Sequence, residues 1–490
     1  MRAGVRVKFG LAGKTTRSLR ARGVDVPIGG RNDVRIKSVS ARVTHGAGPS
    51  GGPGRTSSSD GLLARDVAVS ALFSVLVEKR PFDDTFAKAA SSRDLAPRDR
   101  AFARLIATTV LRNRGSLQAV LNTYLEKPLP EHQGRLEQIL LAAVAQMLLL
   151  QTPAHAAISL AVDQCRADKL ARRFAHLVNA VLRRASESGG GRLASLDNVA
   201  LTIPDWLLSR WTRVYGATEA RQIARASLSE PPLDLTVKSD PEHWAERLGG
   251  IVLPNGSVRC AGAGRIEELE GYAEGAWWVQ DAAAALPVKL FGDVAGLDAL
   301  DLCAAPGGKA AQLAAGGAHV TAVDKSAGRL ARLKGNLERL GLTAETATAD
   351  ALTFASDKTF DAVLLDTPCT ATGTIRRHPD ILFLKRDDDV QALAGLQAKL
   401  LEHAARFVKP GGMLVYCTCS LEPEEGEDQI AAFLKNHSEF ARQPFAPDDV
   451  AIPFRAANGD LRTLPTHLSD LPEGFQGLDG FYAAALTRAG

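Results

Sequence analysis

From Leu62 to about Ser188, apolar residues recur three and four positions apart, as in Leu63–Phe73 and Leu136–Leu150, with few glycines or prolines between them. That period lays a continuous apolar stripe along each helix, so the stretch predicts an all-helical domain built around one shared core. The composition of Ser186–Gly191 breaks the pattern and is read as a linker. Pro204-Asp205-Trp206-Leu207-Leu208, with Trp211 and Tyr215 behind it, predicts a helix that opens at a proline and is anchored by packed aromatic rings. Alternation over Leu233–Val237, and again near Ile251, predicts a small mixed sheet.

From about Trp277 the pattern changes once more. Short apolar runs at Leu297–Cys303, Val320–Val323, Asp361–Leu365 and Met413–Cys417 predict strands, and Ala327–Leu340 and Asp387–Val408 predict helices between them. This order implies a doubly wound, Rossmann-like α/β sheet, whose ligands lie beyond the carboxyl ends of the strands. The expected organisation is a basic extension over residues 1–60, a helical domain over 62–188, a small α+β region over 195–276 and an α/β domain over 277–490.

Composition narrows the class. With 490 residues, 45% apolar and 23% charged, the chain can bury more than one core. The longest apolar stretch, Ile139–Leu150, is too short to cross a bilayer, so no membrane span is expected. Six cysteines are too few for a disulfide framework, and a reducing cytoplasm and a monomeric chain are expected. Cys303, Cys369, Cys417 and Cys419 fall late in the chain without paired CxxC units or neighbouring histidines, so no metal site is assigned.

Charge is unevenly spread. Residues 1–60 hold twelve Lys/Arg against three Asp, a net of +9, which leaves −5 on the remainder of a chain whose total is +4. The glycine-rich, aromatic-poor composition of that extension predicts disorder; a targeting segment, an over-extended start and a basic RNA-touching arm all remain open for it. In the helical region, Arg98, Arg100, Arg104, Arg112 and Arg114, and then Arg172, Arg173, Arg183 and Arg184, are candidates for phosphate contacts, or else solvated helix faces.

The clearest chemical signal is Leu300-Asp301-Leu302-Cys303-Ala304-Ala305-Pro306-Gly307-Gly308-Lys309, a strand running into small residues, a tight turn and a helix. Small side chains let a ligand approach the backbone, and amides at a helix start suit an anionic group. The dinucleotide pattern G-x-G-x-x-G is absent. Asp324 ends the second strand, where a carboxylate can accept two ribose hydroxyls, and Asp350 and Asp366 fall at later strand ends. Asp366 is followed by Thr367-Pro368-Cys369-Thr370, and a further strand end carries Tyr416-Cys417-Thr418-Cys419-Ser420, so two cysteines are expected on the rim where a nucleotide-like cofactor would bind.

Leu302–Lys309, Asp366–Thr374 with Arg376-Arg377-His378-Pro379-Asp380, and Thr418-Cys419-Ser420 with Pro423-Glu424-Glu425 resemble the bacterial 16S rRNA (cytosine-C5)-methyltransferases of the RsmB/Fmu/Sun type. Pro97-Arg98-Asp99-Arg100-Ala101-Phe102 and Val178–Arg184 resemble that family's NusB-like RNA-binding domain, and Gln280-Asp281 and Asp479-Gly480-Phe481-Tyr482 also match. The resemblance implies S-adenosylmethionine as cofactor, held by Cys303, Ala304, Ala305, Pro306, Gly307, Gly308, Lys309, Asp324, Asp350 and Asp366, and single-stranded or looped ribosomal RNA as partner. It implies Cys419 as nucleophile, Cys369 as the residue that assists release, and Asp366 as the group on the base edge. Thr367, Thr370 and the extra thiol of Cys417 depart from the family's usual pattern. A helix expected near Glu422-Pro423 would turn its positive end toward Cys419, opposed by the charges of Glu422, Glu424 and Glu425.

Overall fold

The apolar stripes of the helical region fold into α1 (Ser58–Leu76), α2 (Phe82–Ser91), α3 (Pro97–Arg112), α4 (Arg114–Asn122), α5 (Leu136–Leu148), α6 (Ala154–Ala167) and α7 (Ala175–Ala194). The computed structural model describes residues 58–490 except 263, 444–453, 455 and 457, so nearly all of the basic extension lies outside the described residues. Leu72, Ile106, Leu117, Leu136 and Val178 are among the fully buried side chains at the centre of this bundle, each contributing about 2–3 kcal/mol through burial.

The expected linker at Ser186–Gly191 is helix instead, because α7 runs through it. Val178, Leu182, Ala185 and Gly189 continue the buried stripe at helical spacing. A side chain at Gly189 would come 3.0 Å from Leu148 Cδ1, so the small residue serves helix–helix contact, and packing overrides its weak intrinsic propensity.

α8 (Asn198–Thr202), α9 (Asp205–Tyr215) and α10 (Ala217–Ser227) follow. Leu207 and Trp211 are buried together with Ile223, and also with Ile375 and Leu421 from far along the chain, which makes the aromatic anchors packing residues. The small sheet that follows is wholly antiparallel rather than mixed, in the order β2 (Ile251–Val252), β3 (Val258–Cys260), β1 (Leu233–Val237), β4 (Trp277–Val279). Trp277–Val279, read as the opening of the last domain, hydrogen-bonds to β1 and closes this small sheet. The helix α11 (Pro241–Arg247) packs on it.

The last domain is the expected doubly wound sheet. In chain order its strands are β5 (Asp298–Leu302), β6 (His319–Asp324), β7 (Glu345–Thr348), β8 (Phe360–Asp366), β9 (Val408–Thr418), β10 (Phe440–Arg442), β11 (Leu461–Thr463) and β12 (Phe481–Arg488). They lie in the order β10-β12-β9-β8-β5-β6-β7, with β11 paired to β12. β7, β6, β5, β8 and β9 are parallel, and β12 returns antiparallel against β9. Helices α12 (Ala282–Lys289), α13 (Gly308–Ala315), α14 (Ala327–Leu340), α15 (Ile381–Leu384), α16 (Asp387–Ala405) and α17 (Glu427–Asn436) complete the domain. The strand order reverses between β5 and β8, which places a crevice at their carboxyl ends. Among the described residues no helix is long and apolar enough to cross a membrane.

Candidate active site

β5 ends at Leu302, and the chain turns at once into α13. Cys303 has φ +63° and Gly307 φ +104°, both in the left-handed region. At Gly307 only glycine fits, since a Cβ there would meet Leu333 Cγ at 2.6 Å. Ala304, Ala305, Gly307 and Gly308 thus form a tight turn without large side chains between β5 and α13. Asp324 closes β6 beside it and accepts from Ala305 N at 3.2 Å and Ser326 N at 2.9 Å. Arg329 lies on both oxygens of Asp324, at 2.8 and 2.9 Å. Asp350 is exposed, and one oxygen is engaged in its own turn by Leu352 N at 2.9 Å. Asp301, beneath the turn, is fully buried and neither carboxyl oxygen is hydrogen-bonded. Burial first, and then the charge of Asp366, push its pKa well above the usual carboxylate range.

The two cysteines meet. Cys369 follows β8, Cys419 follows β9, and their sulfurs stand 3.4 Å apart, both half-buried. Asp366, the last residue of β8, receives Lys309 Nζ on Oδ2 at 2.8 Å and the Cys417 thiol on Oδ1 at 3.6 Å. The Lys309 ammonium also sits 4.9 Å from the centre of the Phe481 ring. Burial opposes the lysine's charge, but Asp366 outweighs it and raises the lysine pKa. The hydrogen bond with Cys369 and then burial push the Cys419 thiol up, with Lys309 acting in the opposite direction. Burial and Asp366 keep Cys417 a thiol as well, and burial pushes Cys303 up to about 12.

What holds the cysteine turns together is a residue whose part the sequence did not reveal. Glu425 is fully buried. It accepts from Thr370 N at 2.9 Å, from the Thr370 hydroxyl, from Ser420 Oγ at 2.5 Å and from Gln397 Nε2 at 3.0 Å. Thr370 and Ser420 each follow one of the two cysteines, so a single carboxylate ties both turns to α16. Gln397 also donates to Pro368 O at 2.9 Å, and Gly373 N donates to Cys419 O at 3.0 Å. Gly373 is pressed so closely on Gly480 that a Cβ would lie 2.0 Å from its carbonyl oxygen. Nothing local in the sequence signals this role, because Thr370 and Gln397 lie 55 and 28 residues away from Glu425.

The helix expected at Glu422-Pro423 is a 3-10 turn, Pro423–Glu425, with α17 starting only at Glu427. Of its three acidic residues, Glu422 and Glu424 are countered by Arg210, whereas Glu425 is held by neutral donors. Glu422 Oε2 accepts from Arg210 Nε at 2.8 Å and Glu422 Oε1 from Trp211 Nε1 at 3.1 Å, while Glu424 pairs with Arg210 Nη2. The Arg376-Arg377 segment after Cys369 enters a buried ion cluster: Arg377 pairs with Asp281 and with Asp479 at 2.9 Å, and Arg259 with Asp234 at 2.6 Å.

Comparison with known proteins places the chain in a family. A family model described as 16S rRNA methyltransferase RsmB/F matches residues 294–487, and one described as the NusB family matches residues 62–187. Ribosomal RNA small subunit methyltransferase B of Xanthomonas campestris pv. campestris is 38% identical over 412 residues, which cover 80% of this chain and 90% of that protein. The enzymes of the same name from Xylella fastidiosa (36%; 88% and 99% covered) and Vibrio cholerae (34%; 86% and 97% covered) are similarly related. Among solved structures, PH0851 superposes with a TM-score of 0.66 at 24% identity over 87% of this chain and 98% of its own. NSun6 from Pyrococcus horikoshii with SFG does so at 0.50 and 18% over 59% and 98%. At such identities these two likenesses speak for the fold. The matched motifs, the extent of the relatives and the shared architecture lead to one conclusion: the chain belongs to the RsmB/F family of 16S rRNA methyltransferases, with a NusB-family helical domain at its front.

Proposed function

We propose that this protein transfers a methyl group from S-adenosylmethionine to carbon 5 of a cytosine in 16S ribosomal RNA, through a covalent bond between Cys419 and carbon 6 of the base. The observation that carries the reading is the 3.4 Å approach of the Cys369 and Cys419 sulfurs beside the Lys309–Asp366 pair. The helical domain over 62–188 would bind the RNA and the domain over 277–490 would carry the chemistry.

The residues present fit the cofactor. Its ribose hydroxyls, adenine amine and ammonium are donors, and the crevice offers carboxylates at three strand ends, Asp324, Asp350 and Asp366, around a turn stripped of large side chains. Cys303–Lys309 and Asp324 would hold it, with Arg329 yielding Asp324 to the ribose. When bound, the cofactor supplies an electrophilic methyl group.

Carbon 5 of cytosine is a weak nucleophile, and covalent catalysis divides the step. The Cys419 thiolate adds to carbon 6 while Asp366 hydrogen-bonds the base edge, so that carbon 5 becomes enamine-like and can accept the methyl group. Loss of the carbon 5 proton then expels Cys419 and restores the aromatic ring; Cys369, in contact with the attacking sulfur, assists that elimination. Lys309 holds Asp366 in place and favours the thiolate. A cytosine in a loop or single strand reaches the thiol at lower cost than one inside a helix.

Cys419→Ala is expected to abolish methyl incorporation into unmodified small-subunit rRNA while cofactor binding persists. Cys369→Ala is expected to accumulate protein–RNA adducts that survive denaturation. The reverse pattern of effects overturns the assignment of the two thiols, and product methylated elsewhere than carbon 5, read by nucleoside mass spectrometry, overturns the reaction.

A further inference from the structure

Arginine pairing in the core differs sharply from one position to the next. Arg259 is wholly buried and satisfied, with Nε and Nη2 on the two oxygens of Asp234 at 2.6 and 2.7 Å and Nη1 on two backbone carbonyls. Arg112, at the end of α3, is 8% exposed; no carboxylate is in direct ion-pair contact with it among the described residues, the nearest acting charge being Glu230 on the same cavity wall. Its Nη2 donates to the Arg376 carbonyl at 2.9 Å, and its Nε finds no acceptor. Arg376 is 3% exposed, with neither Nε nor Nη2 hydrogen-bonded; its neighbour Asp479, at 3.3 Å, is shared with Arg377. A buried guanidinium whose donors are not all satisfied is costly, and burial holds both arginines below their ordinary pKa, outweighing Glu230 at Arg112 and Asp479 at Arg376.

Arg112 lines open space where α3 meets Arg377 and His378, and Arg376 lines a second space between the end of α10 and residues 465–477. A cavity of about 420 Å³ is bordered by Arg104, Leu105, Arg112, Arg377, His378 and Glu230. A second, of about 640 Å³, is bordered by Arg225, Arg376, Gln222, Thr466, Ser469 and Glu230, with Glu473 also on its wall. Arg104 and His378 are both engaged by Asp83, at 2.7 and 3.3 Å, and Arg377 by Asp281 and Asp479; Arg112 and Arg225 have no ion pair among the described residues, and Arg376, beside the Asp479 it shares, keeps Nε and Nη2 without a hydrogen bond, so these three are the wall cations with capacity for a ligand.

We propose that this pair of cavities is a subsite for the sugar-phosphate backbone of the RNA substrate, with consecutive phosphates taken by Arg112 and by Arg376 and Arg225 on either side of Glu230. The proposal rests on the RNA-methylating reading above. The planar guanidinium fork suits phosphate oxygens, and a polyanion supplies the charge that the protein withholds. Arg376 stands seven residues beyond Cys369, so RNA gripped here is held by the same segment that carries a reactive thiol. The helical domain reaches that segment directly, through Arg112 on the Arg376 carbonyl and through Phe82 N on Asp380 Oδ2 at 3.0 Å.

The test measures binding of the full chain to unmodified small-subunit rRNA transcribed in vitro, across a salt series. Arg112→Gln is expected to weaken binding roughly tenfold at moderate salt and to flatten the slope of log affinity against log salt by about 0.7 for a single-stranded contact. Because Arg112→Gln can disturb the domain junction, two surface changes accompany it. Ala101→Glu adds a negative charge on the exposed face of α3 at the first cavity and is expected to weaken binding several-fold. Glu230→Gln removes the acid between the cavities and is expected to tighten it by about twofold to fivefold, a gain that a purely structural Arg112 does not produce. Unchanged affinity and slope in folded Ala101→Glu and Glu230→Gln overturn the subsite, as does competition by millimolar inorganic phosphate that matches the loss in Arg112→Gln without any RNA-length dependence. Methyl incorporation by the unaltered protein is scored on the same RNA: its absence sinks the proposed function, whereas its presence alongside unchanged binding sinks the subsite alone.

Discussion

Two rims of one crevice are built by opposite means. The turn Cys303–Lys309 is made of backbone and small side chains, and its shape follows from local conformation: a positive φ at Cys303, another at Gly307, and a helix beginning at once. The cysteine rim is made of side chains from distant segments, cross-linked through Glu425, Gln397, Thr370 and Ser420. A turn of the first kind gives a ligand access to the main chain. A rim of the second kind fixes two sulfurs against each other, as a reaction requiring sub-ångström placement demands. Damage to the first should therefore appear in ligand affinity, and damage to the second in turnover and stability.

The largest separation is expected from Gly307→Val. Its side chain would collide with Leu333 in a backbone conformation that β-branched residues avoid, and cofactor affinity should fall by roughly a hundredfold or more, read by calorimetric titration with S-adenosylhomocysteine. Retained affinity would break the division between the rims. Next comes Lys309→Met, which removes the cation fixing Asp366; the methylation rate is expected to drop about 100-fold in single-turnover assays, with a much smaller change in cofactor binding. Glu425→Gln leaves some of four buried donors without a partner. It should cost about 2 kcal/mol in denaturant unfolding and slow turnover about tenfold, with cofactor affinity unchanged.

Two pH effects are smaller. The Cys419 thiol is pushed up by Cys369 and burial, so the single-turnover rate should rise with pH above neutrality and not fall. At the domain junction, burial works against the charge of His378, but the hydrogen bond and charge of Asp83 outweigh it and raise its pKa. A raised histidine contributes stability below its unfolded value, about 6.5, and loses it as pH climbs past the folded value. The melting temperature should thus decline between pH 6 and 8 by on the order of a degree more in the unaltered protein than in His378→Asn.

Local chemistry made much of this molecule legible. The helical period of Leu63–Phe73, the strand-turn-helix of Leu300–Lys309 and the acid at the end of β6 are each specified by neighbours within a few residues. Readings failed where distant packing decided the outcome. Gly189 stays in α7 because Leu148 needs room, Trp277–Val279 belongs to the small sheet because β1 has a free edge for it, and Glu422 and Glu424 after Cys419 are paired with Arg210 from α9.

The amino-acid order by itself determined the front helices, the central strands β5, β6, β8 and β9, the shape of the glycine turn and the presence of two thiols at strand ends, since backbone preference and apolar period act over one or two turns of chain. Only the tertiary structure decided that those thiols face each other, that Glu425 ties their turns together, and that Arg112 is buried without a direct ion pair. These depend on burial and on hydrogen bonds between residues dozens to hundreds of positions apart, whose strength exists only once the sheet and the helical domain have excluded water from around them.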